Sequence, residues 1–101
     1  MKHYTQAIKT LLDGADTCSQ VELLMRYSAA NTIYEYILTL LEEPDYEELA
    51  KDTHHRDKLT LSLSIFRAAA VGVEDGHKNL SGRIDSSRQN LNKFEGSISR
   101  A

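Results

Sequence analysis

The stretch "KLTLSLSIF", residues 58–66, decides the fold class, because apolar and hydroxyl side chains alternate along it as they do in a half-buried strand. Leu59, Leu61, Leu63 and Ile65 would line one face, and Thr60, Ser62 and Ser64 the other. The residues that follow overturn that reading. Leu59, Leu63, Phe66, Ala70 and Val73 recur at steps of four, three, four and three, which is a helical stripe. Ala68, Ala69 and Ala70 favour helix and disfavour strand. No second alternating segment offers a pairing partner, and an isolated strand would leave its backbone groups unpaired. The pattern therefore predicts a helix over 54–73. In that helix Leu61 and Ile65 fall on a face adjacent to the core stripe, with Thr60 and Ser64 on the remaining side, so the helix needs two neighbours. The second is expected in another subunit or in a partner.

Downstream the same rhythm lands on His77, Leu80, Ile84, Ser87, Leu91, Phe94 and Ile98. One helix over 54–95 would be roughly 60 Å long and would demand coiled-coil pairing. Gly72, Gly76 and Gly82 each cost a helix interior about 1 kcal/mol relative to Ala, which favours a break at "VEDGHK" and a further helix from about Asn79. Residues 96–101 are expected to fray.

Upstream, Tyr4, Ala7, Ile8, Leu11 and Leu12 define a first amphipathic helix that stops at Asp13-Gly14. Ser19 and Glu22 have capping-box spacing and open a second helix. Its apolar positions, among them Leu23, Leu24, Tyr27, Ala30, Tyr34 and Ile37, cover nearly half the circumference, as suits a central helix. Pro44 ends it. One or two helical turns then hold Asp45, Tyr46, Glu48, Leu49 and Ala50, and a charged connection at Asp52 leads to Thr53 as the next cap.

These elements predict one all-α domain over 1–95, a small antiparallel helical bundle of three to four helices. A chain of 101 residues buries only about 60–70% of its unfolded surface, so a homodimer is expected. The composition, 41% hydrophobic and 27% charged, is that of a globular protein, and no apolar run is long enough for a membrane span. The first residues lack the apolar block of a secretory signal, and Cys18 is the sole cysteine, so a cytosolic protein without internal disulfides is expected.

The motifs of common chemistries are missing: GxxxxGK[ST], GxGxxG, paired CxxC and HExxH. The E-x-x-E and E-x-x-D pairs of the all-α nucleotide pyrophosphohydrolases are also missing, since the one E-x-x-D spacing, Glu42 to Asp45, contains Pro44. His54 and His55 are adjacent and point about 100° apart on a helix, so they do not chelate one ion as an i, i+4 pair does. A helical metalloprotein would rest on these two with Glu74 and His77. Cys18 precedes a helix N-terminus, whose dipole can lower a thiol pKa, but the sequence assigns it no base.

Charge is uneven: residues 76–101 carry five Lys/Arg against two Asp/Glu, and the rest of the chain is acidic. A nucleic-acid-binding reading would use Arg83, Arg88, Lys93 and Arg100. The reading favoured by the residues is a non-catalytic protein-interaction module without cofactor: a regulator, adaptor, chaperone or inhibitor presenting an apolar helical face. Tyr36, Tyr46, Leu61, Ile65 and Ala68 are the candidate contact residues. Tyr27 and Tyr34, one heptad apart on the apolar face, are expected in the core with their hydroxyls at its edge.

Overall fold

Gly14 turns the chain out of the first helix with φ 69°, a left-handed conformation that only glycine adopts without steric cost. In the computed structural model, which describes residues 1–51, 53–71 and 80–100, α1 (Lys2–Leu12) leads through this corner and a 3-10 turn (Ala15–Thr17) into α2 (Gln20–Leu40). A 3-10 turn at Pro44–Tyr46 and the short α3 (Glu47–Lys51) connect to α4 (Thr53–Ala70), and α5 (Leu80–Arg100) completes the fold. Among the described residues there is no strand, and "KLTLSLSIF" lies wholly within α4.

Local chemistry sets these boundaries. The Ser19 hydroxyl accepts the Glu22 backbone amide at 3.2 Å and caps α2. The carboxylate of Glu22 does not complete the expected capping box in return but lies 3.6 Å from Arg26. Arg26 also donates to the carbonyls of Leu11, at 3.3 Å, and Asp13, at 2.6 Å, so a side chain of α2 satisfies acceptors left open at the end of α1. Pro44 occupies the first position of its turn, where its missing amide leaves no bond unmade.

The four long helices close a ring in which each packs on two others: α1 on α2, α2 on α4, α4 on α5, and α5 back on α1. Every neighbouring pair is antiparallel, as Tyr4 beside Tyr36, Tyr34 beside Thr60, and Thr5 beside Glu95 show. The bundle measures 40 × 19 × 18 Å. Ile8, Leu12, Leu23, Ile37, Leu59, Phe66, Leu91 and Phe94 fill its centre with almost no exposure. Truncating either phenylalanine to Ala should cost about 3–5 kcal/mol. Tyr27 packs edge-on against Phe66 with ring centroids 5.8 Å apart, and the Tyr34 hydroxyl meets that of Thr60 at 3.0 Å. Both rings sit at the core margin.

Helices α4 and α5 lie side by side, as the favoured break between them requires, and a single helix over 54–95 is excluded. The structure differs from the sequence reading in other places. Residues 72–79, with "VEDGHK", Gly72, Val73 and Asn79, lie outside the described residues, as does Asp52. The backbone of Thr53 is already helical, so α4 starts one residue early. Helix α5 continues to Arg100. Leu24, assigned to the apolar face, is exposed, because bundle contacts cover a narrower side of α2 than its composition allows. Among the described residues, no helix is long and apolar enough to cross a membrane.

Candidate functional site

Successive residues of α4 at steps of four and three, Leu61, Ile65 and Ala68, form a stripe turned away from the core. Leu61 is 44% exposed, and Ile65 and Ala68 are half-buried. Beside this stripe the α4–α5 pair opens into a groove of about 490 Å³, lined by Ser64, Ile65 and Ala68 from α4 and by Gly82, Arg83 and Ser86 from α5. The groove exists because its walls are small. Ser64 and Ala68 are four apart, as are Gly82 and Ser86, so each helix offers two consecutive turns with little side chain. A Cβ on Gly82 would meet no heavy atom within 4 Å, so packing does not require glycine there.

Among the described residues, Arg83 is the only charged one in the lining, and no carboxylate pairs with it. A half-buried guanidinium beside an apolar wall is a fixed fork of donors suited to a carboxylate. The structure thus brings two of the contact candidates, Ile65 and Ala68, together with one residue assigned to nucleic acid. Leu61 continues their stripe. Ser64, Gly82 and Ser86 were not singled out from sequence, and the repeated small residues at i, i+4 were the available signal.

Tyr36 is elsewhere. It lies on the outward side of α2 and stacks edge-on with Tyr4, with centroids 5.0 Å apart. The neighbouring Tyr36 hydroxyl, followed by slight burial and the more distant Tyr46, pushes the Tyr4 pKa up. Tyr46 itself is half-buried against the core. A second recess of about 510 Å³, between α2 and α4, holds Glu42, Arg56, Tyr34 and Thr60 and contains none of the candidates.

The basic residues of α5 do not form one surface. Steps of five turn a helical side chain by about 140°, so Arg83, Arg88 and Lys93 point in three directions. Arg83 lines the groove, Arg88 is 2.6 Å from the Asp13 carboxylate, and Lys93 is exposed. The side chain of Arg100 lies outside the described residues. Farther along α5, Glu95 accepts from Lys9 and from the buried Thr5 hydroxyl, both at 2.7 Å. Burial alone would raise the Glu95 pKa, but these bonds outweigh it and hold the carboxyl below its usual range.

His54 is exposed at the start of α4, while Glu74, His77 and the side chain of His55 lie outside the described residues. Among those described, no cluster of three His, Cys, Asp or Glu side chains is arranged to hold a metal. Cys18 is half-buried, with its thiol 3.5 Å from the Gly14 carbonyl. Burial and Glu22 push its pKa up against the opposing effect of Arg26, the reverse of the lowering expected from a helix N-terminus. Comparison with protein-family models, with curated proteins and with solved structures finds no match.

Proposed function

We propose that this chain is a non-catalytic, cytosolic, homodimeric protein-interaction module that acts as a regulator, adaptor, chaperone or inhibitor. Its α4–α5 groove receives an amphipathic helix of a partner protein. Small and apolar residues of that helix lie against Ile65 and Ala68, and a flanking carboxylate meets Arg83. The observation that carries this reading is the pairing of a partly exposed apolar stripe with one half-buried guanidinium that has no carboxylate partner among the described residues. Helix-in-groove recognition uses this combination, with apolar anchors for affinity and a charge for register.

The test is affinity capture from the native cell with the wild type and with Ile65→Asp and Arg83→Glu, each checked by circular dichroism. A protein that both variants lose, and whose own Glu→Arg change restores binding to Arg83→Glu, supports the reading. Capture unaffected by either variant sinks it. Recovery of nucleic acid that falls steeply with salt would replace it with the nucleic-acid reading.

A further inference from the structure

Helix α2 carries apolar residues beyond the one side that the bundle covers. Leu23, Ala30 and Ile37 mark the covered side. Opposite them, Val21 and Met25 are 69% and 67% exposed, and Ser28, Ala29, Thr32 and Tyr36 extend this face along the helix. Two hydroxyls along this side of the helix are already prepared for loss of water. Thr32 Oγ1 donates to the Ser28 carbonyl at 3.2 Å, and Thr39 Oγ1 donates to the Glu35 carbonyl at 3.1 Å. Both hydroxyls are therefore satisfied within the helix, so covering them leaves no donor unpaired. Its charges stand at the flanks, with Glu22 beside Arg26 on one and Glu35 accepting from Asn31 at 3.4 Å on the other.

We propose that the outward face of α2 is the seam of a homodimer, covered by α2 of a second copy running antiparallel across a two-fold axis near Ser28 and Ala29. The proposal rests on the homodimeric reading and is independent of the groove. Three properties of the face select this occupant. Small residues at its middle let two helix axes approach to about 8 Å. Its ends are complementary, since the antiparallel fit sets Val21 of one copy against Tyr36 of the other and Met25 against Thr32. The fit also opposes the helix dipoles and leaves Glu22 of one copy and Glu35 of the other on opposite rims. The open area is on the order of 500 Å² per protomer, so a closed seam removes on the order of 1,000 Å², the lower bound for a specific interface. A surface of about 30 Å, the length of the 21-residue helix, is enough for such a contact.

The experiment is sedimentation equilibrium over a wide concentration range on the wild type, Met25→Lys, Ala29→Arg and the groove variant Ala68→Arg. Circular dichroism of each shows that the fold persists. The wild type and Ala68→Arg should dimerise with similar affinity, while Met25→Lys and Ala29→Arg should raise the dissociation constant at least about tenfold. In a Cys18→Ser background, a mixture of Val21→Cys and Tyr36→Cys should form the mixed disulfide in preference to either symmetric one. A wild type that stays monomeric throughout overturns the homodimer and the seam with it. A wild-type dimer that Met25→Lys and Ala29→Arg leave intact, or that Ala68→Arg dissolves in their place, overturns the seam alone. Preferred symmetric disulfides overturn the antiparallel fit.

Discussion

Ser62 and Ser87 face each other across the buried α4–α5 contact with their Oγ atoms 2.9 Å apart, and each hydroxyl donates to the other's backbone carbonyl at 2.8 Å. The pair holds two helix backbones close with no apolar side chain between them. Ser62→Ala removes one donor and leaves the Ser87 hydroxyl bonded to a carbonyl, so it should cost about 1 kcal/mol. Ser62→Leu adds apolar bulk where none fits and should cost more, about 2–3 kcal/mol, although it makes the stretch more hydrophobic. Urea unfolding of the two variants checks the order. A Ser62→Leu protein as stable as the wild type would contradict the close approach.

Glu95 ties the last helix to the first and makes stability depend on acid. Its folded pKa lies below the unfolded value of about 4.3, so its contribution is complete above that value and is lost as pH falls through the lower folded one. Glu95→Gln should reduce stability at pH 7 by about 1–2 kcal/mol and flatten its decline between about pH 5 and 3. Thermal melts across this range test it. An unchanged acid limb would show that other carboxylates dominate.

Gly82 gives a prediction that separates fold from function. Ala at this position meets nothing and favours helix, so Gly82→Ala should raise stability by about 0.5–1 kcal/mol. The same methyl narrows the groove and should weaken capture of the partner helix. A variant that is more stable and still binds fully would separate Gly82 from the site.

Cys18 should react slowly. Its thiolate is disfavoured by burial and by Glu22, so modification by a disulfide reagent near neutral pH should lag behind that of a free cysteine. Glu22→Gln should accelerate it by roughly twofold or more. A thiol faster than free cysteine would reopen a nucleophilic role.

The helices were legible in the sequence wherever one residue signalled a boundary: Gly14, Ser19 and Pro44 act through backbone conformation or a single hydrogen bond, and local sequence encodes both. Positions governed by neighbours were not legible. Ser62 reads as the polar side of an alternating run, and only the opposing Ser87 makes it a core residue. Leu24 and Met25 sit in an apolar helix whose covered side depends on where α1 and α4 lie. In the groove, Ile65 is legible through the width of the apolar surface. Arg83 was grouped with other basic residues because charge density along the chain does not record direction around a helix.

The ring of four helices has kinetic consequences. Three of its contacts join long helices that are next to one another in chain order, but the contact of α1 with α5 joins residues as far apart as Thr5 and Glu95. Closing so long a loop costs entropy before the contact repays it, so this seam should form after the folding transition state. Lys9→Met, which removes the 2.7 Å bond to Glu95, should then speed unfolding and leave the folding rate nearly unchanged in stopped-flow chevrons. A slowed folding limb would mean that the first and last helices meet early.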